Sequence, residues 1–131
     1  MKPDNTLTIT SLLAIVLMTF HLTDDVVRGF EPGGLKNLIG VLILVVWLYA
    51  TLVLAGRRSG YVILLLGSIL AAIMPVVHMS GAGVGGAIAE SSGGFFSIWT
   101  LIALGVTGTF SLILSARGLW SLRRGQLPGT H

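Results

Sequence analysis

Four long apolar segments run through this sequence, and they constrain its fold more than any other feature. They lie at about residues 7–27, 36–55, 61–78 and 95–117. A helix of about 20 residues crosses the hydrocarbon core of a bilayer, which is about 30 Å thick. Charged residues make up 10% of the 131 residues, against about 25% in soluble domains, so the chain has too few charges to cover a surface that faces water. The segments therefore predict an all-α, polytopic membrane protein, a single domain that forms an antiparallel bundle of four transmembrane helices in a lipid bilayer.

The first segment is the least regular of the four, and a cleaved signal peptide is its alternative interpretation. Thr19 and His21 interrupt its apolar run, and Lys2 supplies the basic start that a signal peptide needs. No small-x-small cleavage site follows the apolar run, however, and such a site is part of the signal-peptide pattern. We therefore predict that this segment remains in the protein as the first helix.

The basic residues are distributed unevenly over the predicted connections and termini. Lys and Arg collect on the cytoplasmic side of membrane proteins. A cytoplasmic N-terminus leaves only Arg28 and Lys36 outside. We therefore predict that both termini are cytoplasmic, that residues 118–131 form a basic cytoplasmic tail, and that the protein resides in the plasma (inner) membrane. The basic residues on the predicted inner side are Lys2, Arg57, Arg58, Arg117, Arg123 and Arg124. Because they flank apolar segments, the net charge of +3 predicts no nucleic-acid partner.

The stretch MTFHLTDDVVRG, residues 18–29, places ionisable side chains where the first helix leaves the membrane. Spacings of three and four residues put Met18, His21 and Asp25 on one helix face, and Asp24 lies beside that face. An aspartate at the centre of a bilayer costs about 2.5–3.5 kcal/mol, and the cost is lower near the rim. The pattern therefore predicts a polar cluster in the outer half of the bundle.

The third segment ends in a similar way, with MPVVHMSG at residues 74–81. Met74 and His78 are four residues apart and share a face, and Pro75 removes one backbone donor, which frees a carbonyl near Ala71. By helical rise, His78 reaches about the depth of the two aspartates of the first helix. We therefore predict that His21 and His78 approach each other, with Asp24 or Asp25 within hydrogen-bonding reach of at least one ring.

Three interpretations of this cluster remain open at the level of sequence. It caps and packs the helix ends, with methionine as a core filler; or it binds a transition metal or haem; or it relays protons or serves as an acid–base pair in a membrane enzyme. Imidazole with thioether suits copper, and imidazole with carboxylate suits zinc, iron or manganese. The chain has no Cys. The candidate metal ligands are His21, His78, Asp24, Asp25, Met18 and Met74.

For the function, the sequence favours a small non-enzymatic membrane protein, either an accessory or scaffolding subunit or a self-assembling one. Gly105 and Gly108 offer a small-residue surface for close helix contact, which suits a compact bundle as well as contacts between chains. We expect a homo-oligomer or a larger complex that is held partly through this face. Trp47 and Tyr49 are predicted to face other helices. Residues 81–86, GAGVGG, match a nucleotide-binding pattern but follow no strand, so we interpret them as a loop.

Two alternative functions remain open at the level of sequence. Metal binding or transport through His21 and His78 is the first, and a membrane enzyme or proton relay acting on a lipid-like substrate is the second.

Overall fold

The computed structural model describes residues 4–80 and 94–125, with backbone alone for residues 79 and 80. Over these ranges the chain forms four α-helices: α1 (Asn5–Val27), α2 (Leu38–Leu52), α3 (Arg58–Ser80) and α4 (Gly94–Arg123). A 3-10 helix, Gly34–Asn37, leads directly into α2. All regular structure in the described ranges is helical, so the all-α prediction is confirmed. The loop at residues 81–86 lies outside them.

The observed helices differ from the apolar segments mainly at their ends. α2 ends at Leu52, before the apolar run itself ends, and the chain then turns through Gly56, whose φ of 76° suits glycine. α4 continues to Arg123, through the first part of the predicted tail. Its last two turns remain helical because Leu119 and Leu122 pack against the core. Residues 126–131 of the tail lie outside the described ranges.

Short polar and glycine signals set the two ends of α1. The Asp4 carboxylate accepts hydrogen bonds from the backbone amides of Thr6 and Leu7, at 3.0 and 3.2 Å, and so satisfies donors that a helix start leaves unpaired. After Val27 the chain reverses at Gly29, where φ is 77°, a conformation that only glycine adopts without strain. The chain that follows α1 therefore folds back over the last turn of the helix.

The helices are arranged in a ring in which α1 packs on α2, α2 on α3, α3 on α4, and α4 on α1, while α1 and α3 also touch across the bundle. The Ser97 hydroxyl at the start of α4 bonds to Asp24 near the end of α1. Gly118 near the end of α4 packs against Tyr61 at the start of α3. We call the end where α1 and α3 finish the histidine end, after His21 and His78. The opposite end is the arginine end, after Arg57, Arg58, Arg117, Arg123 and Arg124.

The contact between α3 and α4 is close because glycines on α4 let the backbones approach. A Cβ added at Gly108 would lie 2.7 Å from the Ala71 Cβ, and one at Gly105 would lie 2.6 Å from the Pro75 Cγ. Both distances are shorter than carbon–carbon contacts allow. These glycines, for which the sequence left packing within the bundle and contacts between chains both open, thus pack α4 against α3 within one chain.

The outer surface of the bundle is apolar. All four helices, with α2 extended by its 3-10 turn, are long and apolar enough to cross a membrane, and at most 33% of the most apolar window of each is buried inside the chain. Large apolar side chains cover the outward faces. A soluble protein rarely exposes contiguous apolar surface of this extent. These properties are those of an integral membrane protein.

The interior contains hydroxyl groups as well as apolar side chains. The Trp47 Nε1–H donates to Ser11 Oγ at 2.9 Å, and the Ser68 hydroxyl donates to Ser111 Oγ at 2.8 Å. Such bonds hold transmembrane helices together. Trp47 is 1% exposed, as predicted, but Tyr49 is 53% exposed. The prediction for Tyr49 was wrong because a residue two positions further along a helix points to the opposite side.

Candidate metal centre

One face of α1 turns three of the candidate residues into the bundle. Met18, His21 and Asp25 are 6%, 4% and 8% exposed, as expected for residues that share a helix face. Asp25 lies one turn after His21, and its Oδ2 is 3.4 Å from His21 Nε2. A carboxylate and an imidazole are therefore held side by side in the interior.

The end of α3 supplies the second imidazole. His78 Nδ1 lies 2.9 Å from the Met74 carbonyl oxygen, and since a carbonyl only accepts, Nδ1 carries the proton and donates it. The ring thus bonds to the carbonyl of Met74 rather than to that of Ala71. His78 Nε2 then faces Asp25 Oδ2 at 3.9 Å. The backbone of α3 fixes the orientation of this ring.

The two helices bring their polar groups to one point. The His21 and His78 rings meet edge to face, with centroids 4.6 Å apart and an interplanar angle of 81°. One ligand atom from each of His21, Asp25 and His78 lies within 4.8 Å of the others. The predicted approach of the two imidazoles is confirmed, and Asp25 is the carboxylate that joins them.

Asp24, the neighbouring candidate, has different partners. Its Oδ1 accepts a bond of 2.8 Å from Arg28 Nε, and its Oδ2 accepts one from the Ser97 hydroxyl of α4. Successive residues on a helix point about 100° apart, so Asp24 points towards α4 while Asp25 points towards α3. The structure therefore does not bring Asp24 into the His21–Asp25–His78 group. Sequence reasoning missed Ser97, whose only signal is its place one turn into α4.

A cavity of about 240 Å³ adjoins the group and reaches between α1, α2 and α3. Met18 and Met74, the two candidate soft ligands, line it together with the two histidines and Asp25. Its wall also contains Leu22, Glu31, Gly40, Ile43, Leu44, Trp47 and Leu70. Sequence reasoning missed Glu31, because the residue lies in a connection, after the helical spacing that linked the other candidates has ended. The cavity is mostly apolar, with its polar groups concentrated at the histidine end.

The chain matches no protein-family model, no curated protein and no solved structure.

Proposed function

We propose that this chain is an integral membrane protein that binds one divalent transition-metal ion between α1 and α3, with His21, Asp25 and His78 as ligands. The observation that carries the proposal is the convergence of three ligand atoms, with Asp25 Oδ2 at 3.4 and 3.9 Å from the two imidazole nitrogens. Two ligands at about 2.1 Å from a tetrahedral ion are separated by about 3.4 Å. The three ligand atoms, which lie within 4.8 Å of one another, therefore need side-chain rotations that bring them to about this separation.

The hydrogen bond of His78 supports this proposal. Metal-bound histidines usually donate their second ring N–H to a carbonyl or carboxylate, which sets the tautomer and the direction of the ring. His78 makes this bond to Met74, so the lone pair of the neutral ring is on Nε2, the nitrogen that faces Asp25. The ring is oriented as a ligand before any ion arrives.

The buried negative charge of Asp25 gives a second reason to expect a cation at this site. Asp25 is 8% exposed, and a buried carboxylate needs a positive partner or hydrogen-bond donors to offset the loss of hydration. Its neighbours at 3.4 and 3.9 Å are two imidazoles, and the His78 ring, with its Nδ1 proton donated to Met74, offers Asp25 only a lone pair when it carries no second proton. A cation at this point offsets the desolvation. A proton offsets the desolvation as well, and metal analysis distinguishes a bound metal ion from a bound proton.

The ligand set favours a borderline or hard ion. Two imidazoles and a carboxylate are the donors of many zinc, iron and manganese sites, whereas thioethers would shift the preference towards copper. Met18 and Met74 line the adjacent cavity without belonging to the convergent group of three. Haem is disfavoured, because the direct contact of the two rings, with centroids 4.6 Å apart, leaves no space for a porphyrin between them.

The test is metal analysis of the purified protein in detergent micelles, followed by titration with Co²⁺ and Zn²⁺. We expect one ion per chain, and we expect His21→Ala, His78→Ala and Asp25→Asn to abolish this stoichiometric binding. His131→Ala is the matched control, because it removes the one histidine outside the group and should leave binding unchanged. Wild-type protein without stoichiometric binding, or variants of the group that bind as the wild type does, would contradict the proposal and favour a protonated or purely structural cluster.

We also propose that the arginine end faces the cytoplasm, so that both termini are cytoplasmic and the metal site lies in the outer half of a plasma (inner) membrane. In the described ranges the arginine end carries five arginines and one carboxylate, Asp4, while the histidine end carries Arg28 and Lys36 with three carboxylates. Basic residues near helix ends favour the cytoplasmic side. The charge difference between the ends supports this orientation.

The accessory or self-assembling role that the sequence favoured has weaker support. Gly105 and Gly108, which the sequence offered as a surface for contacts between chains, pack against α3 of the same chain. The apolar outer surface suits lipid as well as a second protein. Assembly into a homo-oligomer or a larger complex is compatible with the metal site, but the metal site is the feature that has a specific geometry behind it.

A further inference from the structure

The connection that follows α1 returns to the metal site. After Gly29 the chain folds back, and the amides of Phe30 and Glu31 both donate to the carbonyl of Asp25, at 2.9 and 3.2 Å. Glu31 is thereby attached through its backbone to a residue of the proposed ligand group. Its side chain is exposed and also lines the cavity that adjoins the group.

The carboxylates of the histidine end have unequal surroundings. Asp24 is neutralised by Arg28 and bonded to Ser97, and Asp25 faces the two imidazoles. For the Glu31 carboxylate, residues 4–80 and 94–125 provide neither an ion pair nor a hydrogen bond. It adds a second negative charge to the wall of the cavity that Asp25 also lines, although it lies outside the convergent group of three. Like charges that share a cavity repel, and a divalent cation between them turns the repulsion into attraction.

We propose that Glu31 captures the ion at the aqueous mouth of the cavity and becomes its fourth protein ligand. This inference rests on the proposed metal site. It implies that ions exchange with water at the histidine end and not with the lipid phase. It also defines the ligand chemistry as two imidazoles and two carboxylates, which selects zinc, iron(II) or manganese(II) over copper(I), since copper(I) prefers thioether and thiolate ligands.

The test compares Co²⁺ affinity, measured by competition with a chromophoric chelator, in wild-type protein and three variants. Glu31→Gln keeps the size of the side chain but removes its charge, and Glu31→Asp keeps the charge but shortens the reach. Lys36→Gln is the matched control, because it changes the charge of the same connection by one unit in the opposite direction, at another exposed residue. The visible spectrum of bound Co²⁺ gives an independent view of the ligands, and circular dichroism checks folding.

We expect Glu31→Gln to weaken binding at least about tenfold, the scale on which metal sites respond to changes around their ligands. The Co²⁺ spectrum should change, and Glu31→Asp should fall between Glu31→Gln and the wild type. Lys36→Gln should stay within about threefold at about 0.15 M salt, where charges on the surface are screened over about 8 Å.

Three results would decide against the inference. If Glu31→Gln binds Co²⁺ as tightly as the wild type, the metal site stands and Glu31 is not a ligand. If Glu31→Asp behaves as the wild type and Lys36→Gln shifts the affinity by the opposite factor to Glu31→Gln, the net charge of the connection alone changes the Co²⁺ affinity. Glu31 is then not a ligand. If the wild type binds no ion, the proposed function itself fails.

Discussion

The contact between α3 and α4 leads to a prediction whose size follows from the structure. A methyl group at Gly108 would lie 2.7 Å from the Ala71 Cβ, 2.8 Å from the Ala72 backbone nitrogen and 2.9 Å from the Ala71 carbonyl carbon. Carbon atoms pack best at about 3.5–4.0 Å, so α3 and α4 must separate locally by about 1 Å. Two of these three atoms are backbone atoms, so no flexible side chain can move away and relieve the overlap.

Overpacking of this kind costs about 1–3 kcal/mol, while the replacement of glycine by alanine inside a helix recovers up to about 1 kcal/mol. We therefore expect Gly108→Ala to lower the free energy of unfolding by about 1–2 kcal/mol, measured by reversible SDS unfolding in mixed micelles. Gly40→Ala is the matched control. A Cβ at Gly40 meets only the Leu22 Cδ2, at 3.2 Å, and that atom is the end of a flexible side chain, so this variant should be as stable as the wild type or more so.

A measurement of the oligomeric state could refute the assignment of Gly108 to the α3–α4 contact. A Gly108→Ala variant that unfolds like the wild type but dissociates from an oligomer would show that this face serves contacts between chains, as the sequence had suggested. Equal losses of stability in Gly108→Ala and Gly40→Ala would mean that alanine is tolerated poorly for a reason other than the α3–α4 contact.

Two further predictions concern the orientation and the histidine end. The chain has no Cys, so single cysteines at exposed Leu35 and Ser59 can show on which side of the membrane each position lies. In intact cells, a membrane-impermeant thiol reagent should label Leu35→Cys and spare Ser59→Cys. The opposite labelling pattern would reverse the proposed topology. A double-mutant cycle of Asp24→Asn and Ser97→Ala should give a coupling energy of about 1.5–3 kcal/mol, the range for hydrogen bonds to charged groups; a coupling near zero would show that the bond between α1 and α4 does not stabilise the bundle.

The helical architecture follows from the sequence because it depends on quantities that are local along the chain. The length and apolarity of each segment, the positions of Gly29 and Gly56, and the spacing of Met18, His21 and Asp25 need no knowledge of the neighbouring helices. A helix satisfies its own backbone hydrogen bonds, and in lipid this requirement leaves few other structures for an apolar segment of about 20 residues. The common face of His21 and Asp25 could therefore be predicted, and so could the similar depth of His78.

The partner of each face depends on how the helices are rotated against one another, and the sequence does not contain that information locally. Lipid is as apolar as a leucine-rich interface, so hydropathy does not separate an inward face from an outward one. The periodicity of α2 places Trp47 and Tyr49 on opposite sides, but only the packed bundle shows that Trp47 is the one that faces inward. Asp24 and Asp25 are adjacent and chemically identical. Because of the rotation of α1, however, Asp24 contacts Arg28 and Ser97, whereas Asp25 faces the two histidines. Glycines suit contacts within a chain and between chains equally well, and only the positions of Ala71 and Pro75 show that Gly105 and Gly108 make contacts of the first kind. The sequence alone determined the four helices and the residue types of the candidate site, while the tertiary structure decided which of those residues meet, because side-chain contacts across a bundle depend on helix rotation and hydropathy does not record it.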